Sequence, residues 1–373
     1  MSVGQLVDAV VVGAGPGGAT AAARLAASGA RVVLLERGPI PRDKPCGGGL
    51  SPKAYRLVEC DISDLVLARP SRVLLRAPGF GPVALQARSG QIWMVRRREF
   101  DERLVQHAES RGATVRTRVM VRGVTPNPDG TTTVATDGSD FRARVVVGAD
   151  GADSLVARAV GLRDQRDANY TLALEIEAER VGGDAPDAIV DFALPRGYAW
   201  LFPKGKIWNV GVGTDDRAEF RHLRKHLADF QERYDLRFAD SARPIGHKIP
   251  VWRGHEPLHR GGVVLVGDAA GVADPFFGEG IAYAIQTGHL AAESAIGYLR
   301  GDTLDLASYT EAVQTILAKD LRFWTVLSKV VYRAPSLALR VLSASRLAQR
   351  LADQAISGEK SFSHLWSPTA SPP

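Results

Sequence analysis

Three glycines near the start of the chain have the spacing of a phosphate-binding turn. Gly13, Gly15 and Gly18 form the pattern G-x-G-x-x-G directly after the apolar run Asp8–Val12, and an Ala-rich stretch, Gly17–Ser28, follows. The first glycine permits a tight turn, the second lets the backbone approach a pyrophosphate, and the third lets the helix pack on the strand. The helix N-terminus offers free N–H groups and the positive end of its dipole. The pattern in this context predicts a dinucleotide site.

An acidic residue follows at the position where such sites bind a ribose. Glu36 ends the strand predicted over Arg31–Glu36, at the distance from the glycines that this kind of site requires. A carboxylate there accepts hydrogen bonds from ribose hydroxyls and repels a 2′-phosphate, so NADP is a poor fit for the site. We include the next residue, Arg37, among the candidate cofactor-binding residues.

A later segment distinguishes FAD from NAD as the dinucleotide. Gly267 and Asp268 follow the apolar run Val263–Val266 and resemble the second FAD fingerprint of glutathione-reductase-like flavoproteins. In that class the aspartate bonds the ribityl chain and the next helix directs its N-terminus at the flavin. Here Pro275–Ile281 would supply the helix start, where backbone N–H groups stabilise negative charge on a reduced flavin. The candidate cofactor-binding residues in this segment are Gly278, Gly280 and Ile281.

Asp150 and Arg97 complete the candidate cofactor-binding residues. Asp150 lies in the segment Gly148-Ala-Asp-Gly151, which resembles the Asp-Gly motif of flavin monooxygenase-like enzymes. Arg97 matches the arginine that the same family places near its cofactor, but Arg96 and Arg98 flank it and compete for the assignment. The alternative is a charge cluster at the start of a helix. Together these segments predict FAD as the cofactor.

Two further motifs carry a closer resemblance. The segment Lys44-Pro-Cys46-Gly-Gly-Gly49-Leu-Ser51-Pro is similar to a loop of the geranylgeranyl reductase family, and Pro195–Pro203 is similar to its substrate-cavity motif, Y-x-W-x-F-P. With Gly267–Ile281, the resemblance extends over most of the chain in the right order. It implies reduction of isolated carbon–carbon double bonds in an isoprenoid chain, such as a geranylgeranyl group or a polyprenyl quinone tail. The substrate-binding residues that it implies are Gly48, Tyr198, Trp200, Phe202 and Pro203.

The aromatic residues of this motif have a spacing that suits a thin apolar chain. Tyr198, Trp200 and Phe202 alternate, so on a strand all three project from one face. Gly211 and Gly213 on the next strand-like run would leave room opposite the rings. The rings either line a substrate slot or form the inner face of a sheet that packs on its own domain.

Cys46 is the candidate catalytic residue. Reducing an unactivated alkene needs a hydride for one carbon and a well-positioned proton for the other. A thiol in an apolar setting stays protonated at neutral pH and can donate that proton. The alternative is a small buried residue in a glycine loop. We interpret the second cysteine, Cys60, as a core residue.

These elements predict an α/β fold. A Rossmann-like FAD-binding domain would carry an inserted α+β substrate domain, whose antiparallel sheet has one helix at about Arg217–Tyr234, and a C-terminal helical tail. We assign residues 1–70, 97–160 and 255–300 to the FAD-binding domain. Residues 71–96 and 161–254 then form the substrate domain, and residues 301–373 form the helical segment with a polar tail.

The basic charge of the chain is concentrated near its C-terminus. The chain has 47 basic and 41 acidic residues, and the segment Lys319–Arg350 carries seven basic residues against one acid, which equals the whole excess. A nucleic-acid binder would place this charge on the folded body, so we expect no nucleic acid as a partner. Two helices, with Pro335 between them and the second over Ser336–Ile356, would either contact an anionic membrane surface or pack on the protein.

Other functions share this fold, and the sequence leaves them open. The main alternative is an aromatic hydroxylase that uses NAD(P)H and oxygen. A flavin-dependent halogenase and a non-catalytic FAD-binding protein are less favoured. The electron donor would be NAD(P)H or a small redox protein. A polar start without a signal peptide predicts a cytoplasmic protein, and two cysteines without a zinc-like spacing predict neither a disulfide framework nor a metal site.

Overall fold

The structure is a computed structural model that describes residues 5–86, 92–163, 170–181, 187–239, 242–254 and 256–357. The Ser/Pro-rich end of the chain, predicted as a polar tail, lies outside these residues. The strands are β1 (Gln5–Val12), β2 (Val32–Glu36), β3 (Gly49–Leu50), β4 (Arg72–Ala77), β5 (Phe80–Gln86), β6 (Trp93–Met94), β7 (Thr114–Thr117), β8 (Val121–Pro126), β9 (Thr132–Thr136), β10 (Phe141–Gly148), β11 (Tyr170–Glu179), β12 (Ala188–Asp191), β13 (Gly197–Lys204), β14 (Ile207–Thr214), β15 (Ile245–Pro250), β16 (His259–Arg260) and β17 (Val263–Leu265). The helices are α1 (Pro16–Ala27), α2 (Pro52–Leu57), α3 (Arg97–Ser110), α4 (Leu155–Ala159), α5 (Leu223–Arg233), α6 (Ile281–Arg300), α7 (Ala307–Ile316), α8 (Ala318–Arg333), α9 (Pro335–Ala344) and α10 (Arg346–Ser357).

The first sheet is a doubly wound, mostly parallel sheet. Its strand order is β16-β17-β10-β1-β2-β7, and the pairs from β17 to β7 are parallel, as the near-continuous apolar strands predict. The register aligns Val12 with both Gly148 and Leu35, so these strands end at the same edge. The loops that follow these ends carry the predicted nucleotide-binding residues, as expected for an open α/β sheet.

The second sheet has seven strands in the order β15-β11-β14-β13-β12-β4-β5. All its pairs are antiparallel except β12 with β4, which the sequence did not predict. On one face, alternate residues such as Leu174 and Val210 pack against α5 in an apolar core. The predicted helix over 217–234 is shorter, because Phe220–His222 forms a separate 3-10 helix before α5. The other face carries the opposite set of alternate residues.

The C-terminal helices pack on the protein body. Leu317 and Leu321 are buried in the core of the first sheet, while Trp324 and Leu339 are buried in an apolar cluster with strands β4, β5 and β12. The single second helix predicted over 336–356 is wrong, because Ser345 has extended backbone angles between α9 and α10. Its Oγ accepts the N–H of Ala348 at 3.2 Å, as an N-cap residue does.

Within the described part of the chain, we find no helix with the length and apolar character needed to span a bilayer.

Candidate active site

A cavity of about 1070 Å³ lies between the carboxyl edge of the first sheet and the free face of the second. This volume is at the upper end of the range for small-molecule sites, so the cavity suits a large cofactor together with a substrate. The sequence-predicted site residues that line it are Gly13, Gly15, Gly18, Glu36, Arg37, Cys46, Gly48, Arg97, Asp150, Tyr198, Trp200, Phe202, Gly267, Asp268, Gly278, Gly280 and Ile281.

Pro203 is the predicted site residue that the structure places elsewhere. It follows Phe202 on β13, and successive side chains on a strand point to opposite faces. Leu201, which shares the face of Pro203, is buried in the core against α5. Pro203 is therefore not among the residues that line the cavity, because the motif spans both faces of the strand, and its role in substrate binding stays a prediction.

The glycine turn has the close approaches that the pattern predicts. A Cβ atom on Gly13, whose φ is +104°, would lie 2.3 Å from the carbonyl oxygen of Ala149, and one on Gly18 would lie 2.0 Å from the carbonyl oxygen of Gly13. A Cβ atom on Gly15 would meet nothing within 4 Å, because this residue faces the cavity. No side chain caps the N-terminus of α1, so its first amides can bind a phosphate.

Glu36 and its surroundings form the end of the cavity next to this turn. The buried carboxylate accepts the N–H groups of Ala14 and Gly38, each at 3.0 Å. Arg42 lies 3.4 Å from Oε2. These bonds hold the carboxylate at the cavity wall beside Arg37, where the sequence predicts the ribose site.

Asp150 has a structural role that the motif did not indicate. Its carboxylate accepts Ser154 Oγ at 2.5 Å, Leu155 N at 2.7 Å and Val156 N at 3.1 Å, and thereby fixes the start of α4. Direct contact between Asp150 and a cofactor remains a prediction.

Asp268 is held as a carboxylate at the centre of the cavity. Lys44 Nζ lies 3.4 Å from its Oδ2 and His247 Nε2 lies 3.7 Å from the same oxygen. Burial alone would raise the pKa of Asp268, but the charge of Lys44 and the contact with His247 outweigh it and hold the pKa well below its ordinary value. Both contacts use Oδ2, so Oδ1 is placed to accept a hydrogen bond from a ligand hydroxyl.

The segment over 275–281 is a turn that leads into the start of α6, so the helix begins where the sequence predicts. Buried Asp274 accepts the N–H groups of Phe276, Phe277 and Glu279 at 2.8, 2.7 and 2.6 Å. Gly278 has a φ of +66°, and the helix begins at Ile281. Three hydrogen bonds from backbone N–H groups to the one carboxyl group of Asp274 fix this turn at the cavity.

Arg97 is the arginine that the structure places in the site. It is buried and makes two hydrogen bonds to Asp101, at 2.7 and 2.8 Å. Arg96 instead contacts Glu177, and Arg98 contacts Asp43 at the surface. Although burial opposes its charge, Asp101 and the Cys46 side chain raise the pKa of Arg97 above its ordinary value.

Cys46 has polar surroundings, which corrects the apolar setting expected from the sequence. Its N–H donates to Glu175 Oε1 at 2.6 Å, and its carbonyl oxygen accepts Asn209 Nδ2 at 3.3 Å. Its Sγ accepts the N–H of Gly48 at 3.4 Å. The glycine loop brings the backbone close to the polar groups of β11 and β14.

The alternating aromatic residues of β13 line the cavity, as predicted. Tyr198 Oη donates to the carbonyl oxygen of Phe277 at 2.5 Å, and Trp200 Nε1 donates to Asn209 Oδ1 at 2.7 Å. A Cβ atom on Gly211 would lie 2.2 Å from Trp200 Cζ2, so the missing side chain makes room for the ring. The prediction about the opposing glycines is confirmed at this position.

The structure adds residues that sequence reasoning missed. Glu175 and Asn209 support the Cys46 loop, His247 contacts Asp268, and Trp324 and Tyr332 of α8 line the apolar part of the cavity. A signal existed for Glu175, because it interrupts the apolar pattern of its strand. The others required knowledge of which strands and helices become neighbours.

The residues present fit FAD. The cavity combines a glycine turn without side chains and a helix N-terminus with free amides. It also contains the carboxylate of Glu36 at the predicted ribose position and the ionised carboxylate of Asp268. The described residues contain no cluster of acidic, histidine and cysteine side chains that could hold a metal ion. A doubly wound domain with this donor set, closed by a second sheet, defines an FAD-dependent oxidoreductase.

Comparisons with known proteins support the class of FAD-dependent oxidoreductases and identify a family within it. Residues 6–196 match the family model of an FAD binding domain. The chain is 33% identical to a geranylgeranyl diphosphate reductase of Rhodobacter capsulatus over 80% of its length and 78% of the relative. It is 32% identical to a menaquinone reductase of Mycobacterium tuberculosis over 79% and 77%. The chain belongs to the geranylgeranyl reductase family of FAD-dependent oxidoreductases.

Solved structures show the same fold. A geranylgeranyl bacteriochlorophyll reductase-like protein from Thermoplasma acidophilum matches with a TM-score of 0.79, 25% identity and coverage of 97% of this chain and 98% of that one. A flavin-dependent brominase matches with a TM-score of 0.80 at 17% identity, over 97% and 96% of the two chains. The brominase shares the fold alone.

Proposed function

We propose that this enzyme reduces carbon–carbon double bonds of an isoprenoid chain, such as a geranylgeranyl group or the tail of a polyprenyl quinone. The observation that carries the proposal is that Cys46 and the aromatic face of β13 line the same cavity as the FAD-binding residues. In this proposal, residues 1–70, 97–160 and 255–300 bind FAD, and residues 71–96 and 161–254 hold the substrate. The names of the relatives, which include isoprenoid and quinone reductases, support the substrate class.

The cavity has a long apolar part that suits such a chain. Burial of methyl and methylene groups against these walls would supply most of the binding free energy. The apolar and aromatic residues of this part come from both sheets and from α8, and they are Val73, Leu75, Val190, Tyr198, Trp200, Phe202, Phe276, Phe277, Trp324 and Tyr332.

The polar end of the cavity suits the reaction. When bound, FAD supplies the hydride for one carbon of the double bond. The Cys46 thiol donates the proton for the other carbon. The N–H of Gly48 and the guanidinium of Arg97 then stabilise the thiolate that Cys46 becomes. In this interpretation the polar groups around Cys46 stabilise its thiolate form.

The test is an anaerobic reaction of the chemically reduced holoenzyme with geranylgeranyl diphosphate or a menaquinone, followed by mass spectrometry. We expect the flavin to be reoxidised and the product to gain two hydrogens for each double bond reduced. A chemical reductant replaces the natural donor, which we propose to be NAD(P)H or a small redox protein. If neither compound reoxidises the flavin without oxygen and an aromatic compound gains oxygen in air, the enzyme is a hydroxylase.

We also propose that the outer face of the C-terminal helices contacts an anionic membrane, from which the substrate is taken. On α8, Val326 and Val330 are 45% and 59% exposed and lie on one face with basic residues. The inner face of the same helix lines the cavity. Aliphatic and basic side chains together suit the headgroup boundary of an anionic bilayer. The exposed residues of this face are Arg322, Val326, Lys329, Val330, Arg333, Leu337, Arg340, Val341, Arg346, Leu347, Arg350 and Leu351.

Two acidic substitutions on this face are expected to weaken membrane binding. Val330→Asp combined with Val341→Asp removes two exposed apolar side chains and adds repulsion, so binding to phosphatidylglycerol vesicles should fall about tenfold or more. Vesicle sedimentation measures it, and flavin content should not change. The matched control is Val181→Asp, since Val181 is 56% exposed but lies outside these helices. Equal sedimentation of the double variant and the wild type would contradict the proposal that this face contacts a membrane.

A further inference from the structure

Glu175 is a buried acid at the reacting end of the cavity that the mechanism above does not use. It lies on β11 opposite Gly211 of β14, and β14 in turn places Gly211 beside Trp200 of β13. The residue lines the cavity and is only 7% exposed. A carboxyl group at such a position is costly unless it is paired or protonated, so its retention in the cavity wall calls for a chemical reason.

Glu175 is bonded directly to the loop of the proton donor. Its Oε1 accepts the N–H of Cys46 at 2.6 Å, and its carboxyl group also lies within hydrogen-bonding reach of the Asn209 side chain. Asn209 bonds the carbonyl oxygen of Cys46 from the next strand. The carboxyl group of Glu175 is therefore fixed to the backbone of the residue that carries the thiol.

The cationic side chain near Glu175 forms its ion pair with a different acid. Lys204, whose side chain is fully buried, pairs with Glu177, two residues further along β11. Burial raises the pKa of Glu175 to about 7, although the N–H of Cys46 and the charge of Lys204 oppose the shift. Glu175 thus holds its proton up to neutral pH. The titratable and charged groups on the surrounding elements are Cys46, Arg97, Glu177, Lys204 and His247.

A chain of polar contacts connects this end of the cavity with the surface. Glu177 accepts Asn209 Nδ2 at 3.3 Å and Arg96 Nε at 3.2 Å. Arg96 also lies 3.6 Å from Glu99, and the two side chains are 35% and 40% exposed. Glu177, whose side chain is itself 22% exposed, is therefore the point at which solvent reaches the acids of this strand.

We propose that Glu175 is the acid that returns a proton to Cys46 after each reduction, an inference that rests on the proposed function. In this step the O–H bond of the Glu175 carboxylic acid breaks and the S–H bond of Cys46 forms. Glu175 becomes a carboxylate and takes a proton from solvent before the next double bond is reduced. Charge and atoms balance, because the hydride and the two electrons it carries come from the cofactor and the proton comes from water.

The test compares the pH dependence of steady-state turnover in the holoenzyme, with dithionite in excess and geranylgeranyl diphosphate as substrate. Glu175→Gln keeps an oxygen that accepts the Cys46 N–H but has no proton to give. Wild-type turnover should fall as the pH rises through about 7, since Glu175 loses its proton there. Glu175→Gln should be about tenfold slower at acidic pH and should lack that fall, and Glu175→Asp should restore part of both.

Controls separate a proton role from a structural role. Glu179→Gln, on the same strand but exposed, should behave as the wild type. If Glu175→Gln keeps the wild-type fall in rate near pH 7, whether or not it is slower, the proposal is wrong. Infrared difference spectra give a readout that needs no substrate: a protonated carboxyl band should vanish between acidic and alkaline pH in the wild type and be missing in Glu175→Gln. Failure of the wild type to reduce any isoprenoid would overturn the proposed function, while this band would still report the protonation of Glu175.

Discussion

Replacement of Cys46 by alanine is expected to leave FAD bound while slowing alkene reduction about 10²- to 10⁴-fold, the usual contribution of a positioned proton donor. Cofactor binding should persist because the residues predicted to bind the phosphates and the ribose, the glycine turn and Glu36, lie on other loops. Cys46, in contrast, is fixed by backbone hydrogen bonds to the side chains of Glu175 and Asn209, and its Sγ accepts the N–H of Gly48. Steady-state turnover under anaerobic conditions and the flavin absorbance of the purified variant measure the two effects.

Two further cysteine variants make this experiment specific. Cys60→Ala is the matched control, because Cys60 packs at the edge of the first core and burial raises the pKa of its thiol. It should turn over at the wild-type rate. Cys46→Ser should remain slow, since a hydroxyl is a far weaker acid than a thiol. A near-native rate in Cys46→Ala would show that the residue is structural and that another group protonates the alkene.

Replacement of Asp268 by alanine is expected to weaken FAD binding by about 10- to 150-fold, because a hydrogen bond to a buried charged group is worth about 1.5–3 kcal/mol. The variant also leaves Lys44 and His247 without their shared carboxylate at the cavity. Flavin retention after dialysis and titration of the apoprotein with FAD measure the affinity. Circular dichroism verifies that the apoprotein is folded.

A conservative variant and a distant variant test whether the loss of FAD affinity comes from the Asp268 carboxylate itself. Asp268→Asn keeps an oxygen that accepts a hydrogen bond but removes the charge, so its FAD affinity should lie between those of the alanine variant and the wild type. Asp229→Ala, a change at an aspartate that pairs with Lys225 and whose side chain is 44% exposed, should not alter flavin content. Unchanged affinity in Asp268→Ala would show that the second fingerprint has been assigned to the wrong residues.

The sequence by itself determined the nucleotide site, because that site is built from local patterns. Gly13, Gly15 and Gly18 lie between a strand and a helix that are adjacent in the chain, so their geometry follows from short-range sterics. The alternation of Tyr198, Trp200 and Phe202 likewise follows from the two-residue period of a strand. These residues line the cavity in the structure as the patterns predicted.

The tertiary structure decided the surroundings of the reacting residues, because these depend on which strands become neighbours. Glu175 and Asn209 lie far from Cys46 in the chain. The pairing of β11 with β14 brings the two side chains together, and the packing of the Cys46 loop on these strands brings them to Cys46. These contacts replaced the expected apolar setting of Cys46 with a polar one. The same holds for the C-terminal helix α8, whose inner face lines the cavity only because Trp324 packs against the turn at Phe276. Contacts between distant segments carry no period in the sequence, so hydrophobic patterning could not reveal them.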